Sequence, residues 1–212
     1  MDVPHSTRPA AAASPAPSPF YDPSAELSAE VEEYHRTGDV GTLIDRLKAL
    51  AKRYAPDALK QGAESFREMP EVIIPLYEQI VSTSPGDAQA MVVLANSYWL
   101  VGRGPAVVSQ LADRAKTVDP ANRGAWHLWA LAQSDLRKRV ERWLEVTKRF
   151  PSDQLARAAL ADNATSLAND ESDVVALKLA IATYEGLLAD ATQTAQRLAL
   201  EQSLAALRKW RP

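Results

Sequence analysis

An all-α stack of helical hairpins, led by an extended N-terminal arm, is the fold class this sequence predicts. Three observations point to it. Apolar residues recur three and four apart in segment after segment, which puts them on one face of a helix. Prolines close successive segments at intervals of 29, 35 and 31 residues, from Pro56 through Pro85 and Pro120 to Pro151. Only 8 glycines occur in 212 residues, too few for the tight turns of a sandwich or barrel, while 46% hydrophobic content is enough for a sizeable core.

Taken in order, residues 1–21 hold Pro4, Pro9, Pro15, Pro17 and Pro19 and no hydrophobic period, so they read as an extended, polyproline-like arm. The folded part, residues 22–212, begins at Asp22-Pro23. An Asp cap followed by Pro at the first helical position starts a helix, and Leu27, Val31 and Tyr34 follow at i, i+4, i+7 until Gly38. Further helices are predicted near 40–54, 57–69, 71–83, 87–101, 105–118, 122–134, 136–149, 153–168, 171–189 and 193–210. Pro105 follows Gly102 and Gly104 at a helix start, and Ser152-Asp153 supplies capping oxygens after Pro151. Pro75 predicts either a kink or a later start near Ile74. Asp170, Glu171 and Asp173 read as carboxylates at a helix start.

A repeat underlies these segments. Ile44, Lys48, Ala51 and Pro56 are spaced four, three and five apart. The same spacing returns as Ile73, Tyr77, Ile80, Pro85, as Val108, Ala112, Ala115, Pro120, and as Arg139, Trp143, Val146, Pro151. A fainter copy is Ala180, Tyr184, Leu187, with Thr192 in place of the proline. Four-then-three spacing puts three side chains on one helix face, and the proline ends the helix. One hairpin cannot bury such a face alone, so consecutive hairpins must stack. The break at Asp119-Pro120 thus closes one hairpin, and Trp126 and Trp129 begin packing the next.

This pattern resembles the tetratricopeptide repeat family. The clearest unit is 88–120, where Leu94, Ala95 and Tyr98 match the family's Leu-Gly-x2-Tyr core with Ala for Gly, Gly102 matches the turn, and Ala115 and Pro120 match the ending. It carries one extra residue around Gly104-Pro105. Unit 123–151 has Trp126 at the first aromatic position and Ala130 at the small one. The resemblance covers roughly 40–151 and implies a TPR-like α-solenoid whose concave face takes protein ligands. With Leu94, Ala95 and Tyr98 turned inward, Trp99 is expected on that face, in company with Gln89, Val92 and Asn96. His127 maps beside Asn96, where it is either a surface imidazole or a hydrogen-bonding contact. Family members that clamp a C-terminal carboxylate carry a Lys before the concave Asn; Val92 and Leu128 occupy the relevant places here, which argues against such a clamp. Tyr77, Tyr98, Trp126 and Trp143 are assigned to helix seams.

Residues 137–142, RKRVER, gather Arg137, Lys138, Arg139 and Arg142 into a possible basic docking patch, with a solvated face as the alternative reading. Residues 22–45 contain seven acids against Arg36, so the stack starts acidic and turns basic further along. That polarity suits a charged protein partner. A formal charge of −3 argues against bulk nucleic-acid binding. The absence of Cys removes disulfides and thiolate metal sites. His5, His35 and His127 have no metal-ligand spacing, and no phosphate loop, nucleophile elbow or His-Glu metal motif occurs. No catalytic residue, metal or cofactor is therefore assigned. The N-terminus lacks the features of a secretion signal, and no apolar run spans a membrane. The expectation is a cytoplasmic, non-catalytic protein-interaction scaffold, a peripheral subunit of a larger complex that includes membrane complexes held from their aqueous side. The alternatives are a reversible peptide-binding module and, third, an enzyme built on a helical solenoid.

Overall fold

The computed structural model describes residues 22–210. The expected arm, residues 1–21, lies outside the described residues, as does His5. Among the described residues eleven α-helices follow one another: α1 Ser24–Thr37, α2 Val40–Ala51, α3 Pro56–Ala63, α4 Pro70–Thr83, α5 Ala88–Leu100, α6 Pro105–Val118, α7 Arg123–Leu131, α8 Leu136–Arg149, α9 Gln154–Glu171, α10 Val174–Asp190 and α11 Thr194–Lys209. A 3-10 turn, Glu64–Phe66, extends α3.

Local chemistry sets the starts. Asp39, Asp87, Asn122, Asp135, Asp153 and Asp173 each cap the next helix, their side-chain oxygens accepting backbone N–H groups that have no partner inside the helix. Pro56, Pro70 and Pro105 each open a helix where the missing N–H costs nothing. The start of α1 is corrected by one residue: the helix begins at Ser24 with Pro23 at the cap position, and Asp22, one residue before it, accepts the Ser24 N–H at 2.9 Å.

Consecutive helices joined by such short turns must return antiparallel. Helix α1 packs on α2, each helix from α3 onward packs on the next, and α1 with α3, α5 with α7 and α2 with α4 also pack together. Odd helices therefore make one face of the stack and even helices the other. The core runs along the stack in two sections. One runs from Leu27 to Ala132, the other from Ala130 to Leu207, and Trp129 packs against both.

Glycine permits the closest approach of odd helices. A Cβ on Gly62 of α3 would lie 2.9 Å from Leu27 Cδ1 and 3.0 Å from Pro23 Cγ on the α1 side. Gly62→Val is expected to lower the unfolding free energy by about 1–3 kcal/mol through overpacking, read from urea denaturation. Gly124 of α7 makes the equivalent approach to α5, where its Cβ would meet Val92 Cγ1 at 3.1 Å.

The repeat register holds in α4 and α6, where Ile73, Tyr77, Ile80, Val108, Ala112 and Ala115 are all buried. In α2 it fails at two of its three positions. Ala51 is buried as expected, but Ile44 is half-buried and Lys48 exposed, and the buried row is Leu43, Leu47 and Leu50, one residue earlier. An ammonium at the second position would have to leave water, so the all-leucine row takes the core. In α8, Trp143 and Val146 are buried, and Arg139 at the first position satisfies its guanidinium with the Asn163 Oδ1 and Gln133 carbonyl oxygens at 2.7 and 3.0 Å.

Two other expectations are corrected. Helix α4 begins at Pro70 and runs through Pro75, so it does not start at Ile74. The carbonyl that Pro75 leaves without a helical partner belongs to Glu71 in the first turn, beside solvent. Asp170 and Glu171 end α9 and do not start α10. The break falls at Ser172, in the left-handed region at φ 52°, and only Asp173 caps the following helix. Arg137 pairs with Glu171 and Asp173 at 2.5 and 2.9 Å, which offsets carboxylate charge at the negative end of α9.

Candidate interaction surface

Helix α5 divides cleanly between core and solvent. Met91, Leu94, Ala95 and Tyr98 are buried. Tyr98 also donates its hydroxyl to Glu78 at 2.6 Å, and burial, that hydrogen bond and the Glu78 charge push its pKa up to about 12. On the other side Gln89, Val92, Asn96 and Trp99 follow at i, i+3, i+7 and i+10, a single row along the helix. Gln89 accepts a hydrogen bond from Asn122 Nδ2 at 3.3 Å, and Val92 touches the approach of Gly124. The row thus lies along the α5–α7 seam, on the face made by odd helices.

The row ends in exposed apolar residues. Trp99 is 39% exposed, with Leu100 at 62% and Val101 at 48% next to it in sequence, and Val107 of α6 is 41% exposed. Arg103 lies 5.0 Å over the Tyr98 ring beside it. An aromatic flanked by exposed aliphatics and a cation is the composition of an interface anchor.

His127 is placed differently from the surface reading. It is half-buried on α7, its Nε2 2.7 Å from Asp153 Oδ2 and its ring edge-on to Trp143 at 5.3 Å. Asp153 is itself buried; its Oδ1 accepts the amides of Leu155 and Ala156 at 3.1 and 3.2 Å, and Arg123 lies 3.7 Å from Oδ2. Burial pushes this carboxyl up, yet the Ala156 amide, His127 and Arg123 together outweigh it and hold the pKa below its ordinary value. The pair ties α7 to the start of α9. A histidine one hairpin before a capping aspartate was the available clue, and only the stacking brings the two together.

The basic stretch is also divided by the fold. Arg137 is engaged with Glu171 and Asp173. Arg142 turns inward, donating to the Trp129 carbonyl at 2.6 Å and to Ser109 Oγ at 3.1 Å, with its guanidinium 4.5 Å over the Trp129 ring. Burial of that guanidinium pulls its pKa down, against the smaller pull of Asp113 and Glu145. Lys138 is exposed.

The cluster around Trp129 also explains the break at Asp119-Pro120. Trp126 donates its indole N–H to the Pro120 carbonyl at 3.0 Å and packs edge-on to Trp129 and Phe150 at 5.7 and 6.3 Å. Lys116 lies 3.6 Å from the Trp129 ring and 4.7 Å from that of Trp126. Two cations on one indole join α6 and α8 across α7, where the two sections of core meet.

Among the described residues no three His, Asp or Glu side chains converge on a metal geometry, and no helix is long and apolar enough to cross a membrane. No family model and no curated protein matches the chain. Solved structures do. MamA matches with a TM-score of 0.52 at 15% identity, over 73% of this chain and 94% of its own. The MamA RS-1 ArsTM double mutant matches with a TM-score of 0.53 at 14% identity, over 87% and 97%. TTC0263, a thermophilic TPR protein in Thermus thermophilus, matches with a TM-score of 0.47 at 15% identity, over 88% and 98%. At such identities the first two matches speak to the fold alone. Together with the hairpin order, the α1–α3 and α5–α7 contacts and the buried positions of α4 and α6, they show the fold to be a TPR-like α-solenoid of stacked helical hairpins.

Proposed function

We propose that this protein is a non-catalytic scaffold that binds other proteins, acting as a peripheral structural subunit that holds a larger complex together. The observation that carries the reading is the α5 row ending in Trp99, Leu100 and Val101, apolar side chains kept in water, with Val107 exposed on α6. Gln89 and Asn96 supply polar groups along the row, and Lys138 a cation near its end of the molecule. His127 and Arg142 support the surface from within, and Arg137 does so at the exterior: each is tied to another helix. A membrane complex approached from its aqueous side is one assembly this surface suits.

The test is affinity purification of the full chain in mild detergent beside a chain lacking residues 1–21, with co-purifying proteins identified and quantified. Stoichiometric partners that are lost with the arm are the expected result for a permanent subunit. Sparse, arm-independent partners would instead favour reversible capture of a peptide. Trp99→Ala is expected to change unfolding free energy by less than about 1 kcal/mol and to weaken partner binding by about 2 kcal/mol or more, measured by titration once the partner is purified.

A further inference from the structure

The two sections of core meet inside a hairpin. Val108, Leu111 and Ala115 of α6 and Leu128 of α7 pack in the first section, and Val140, Trp143 and Val146 of α8 pack in the second. Of α7, Ala130 joins the second section, and the half-buried ring of Trp129 lies against both. Other hairpins keep both arms in one section: α1 with α2, α3 with α4 and α5 with α6 in the first, α9 with α10 in the second. The boundary therefore runs between α7 and α8.

Directional polar contacts join its two sides. Arg142 of α8 donates to the Trp129 carbonyl of α7 and to Ser109 of α6, both neutral acceptors. Arg139 of α8 donates to the Gln133 carbonyl just beyond α7, and His127 of α7 meets Asp153, the cap of α9, at 2.7 Å. Apolar packing lost on opening has no substitute in water, whereas each of these groups can take water in place of its partner. Opening this boundary thus costs less than opening the interior of either section. Residues 132–135, outside any helix, link the two sides, and a hinge needs only such a short segment to absorb the change in backbone angles.

We propose that the stack is hinged between α7 and α8, so that α1–α7 and α8–α11 move as two firm blocks while the polar seam between them opens and closes. Opening changes the angle at which α9 and α11 stand to the α5 row, and with it the curvature of the face made by odd helices. The hinge follows from the division of the core and not from what the α5 row binds, so its failure would leave the proposed scaffold role standing.

Distances between paired spin labels on the full chain, measured in frozen solution, test it. The chain has no Cys, so labels go only to introduced cysteines. Gln110→Cys on α6 with Lys178→Cys on α10 spans the seam, and Lys48→Cys on α2 with Gln110→Cys lies within the first block, four helices apart in each case; all three positions are exposed. The pair across the seam is expected to give the broader distance distribution. Arg142→Met, which removes the donors of the clasp and keeps much of its stem, is expected to broaden that pair further and leave the control pair unchanged. Circular dichroism checks that the variant folds, and Ser109→Ala, which removes one acceptor, serves if it does not. A distribution across the seam as narrow as the control in the wild type would overturn the proposal. So would equal broadening of both pairs by the variant, which would make Arg142 a general support of the stack and not a clasp at one seam.

Discussion

Trp143→Ala is expected to lower the unfolding free energy by about 3–5 kcal/mol, the largest single effect foreseen for this chain, read from the midpoint of urea denaturation at unchanged slope. Trp143 is 4% exposed within the second section of core, between Val140 and Val146 on α8, and the His127 ring stands on it edge-on. Truncation removes a large apolar side chain and leaves a void that rigid helices on several sides close only partly. Its indole Nε1 is the one fully buried side-chain polar atom among the described residues without a hydrogen-bond partner. Trp143→Phe therefore keeps most of the packing while removing an unsatisfied donor, and its cost should stay near roughly 1–2 kcal/mol. Equal losses for Ala and Phe would show that the indole N–H has a partner that matters.

Asp153→Ala is expected to cost about 2–4 kcal/mol. About 1 kcal/mol comes from the lost cap of α9. The rest comes from the hydrogen bond to His127, which Asp153 receives with its side chain only 3% exposed. Asp153→Asn keeps an oxygen for the Leu155 and Ala156 amides and removes the charge that His127 and Arg123 face, so it should recover the capping share alone. The sign of the pH dependence follows from the lowered pKa. Where the native pKa lies below the unfolded one, the unfolded chain binds more protons, so stability rises with pH across that interval. The contribution of Asp153 is fully present above the ordinary carboxylate value of 3.8 and is lost as the pH falls through the lower native value. Acid unfolding of Asp153→Asn should show a shallower loss over that range than the wild type.

The fold was legible because its punctuation is local. An aspartate or asparagine cap, a proline at a first turn and a glycine at positive φ each act within a few residues, and they place the helix starts at Val40, Ala88, Pro105, Arg123 and Leu136. What was misplaced depended on a choice between neighbouring rows or on distant groups. In α2, the run LIDRLKAL offers two helical faces, and only packing against α4 decides for Leu43, Leu47 and Leu50. The end of α9 moved from residue 168 to Glu171 because Ser172 adopts a left-handed turn that serine enters rarely, which no local residue announces.

The candidate surface divides in the same way. That Trp99 is exposed while Tyr98 is buried follows from helix periodicity alone, and the structure places both so. The RKRVER stretch shows the limit of counting charges in a window. Glu171 and Asp173, which meet Arg137, and Ser109, which meets Arg142, come from other helices and turn much of a nominal patch into ties between repeats. His127 with Asp153 is the same case: the residues lie 26 apart, on successive hairpins, and only stacking makes them neighbours.

The α5 row is proposed to bind protein while the stack beneath it stays indifferent to the row. Quantitative co-purification of tagged wild type beside Trp99→Asp, with the thermal midpoint of each chain measured in parallel, tests it most directly. Matching midpoints and partners depleted at least about tenfold from the variant are expected, in line with the loss at a central aromatic contact. Unchanged partner recovery with Trp99→Asp at a matching midpoint would contradict it and move the interaction surface off α5.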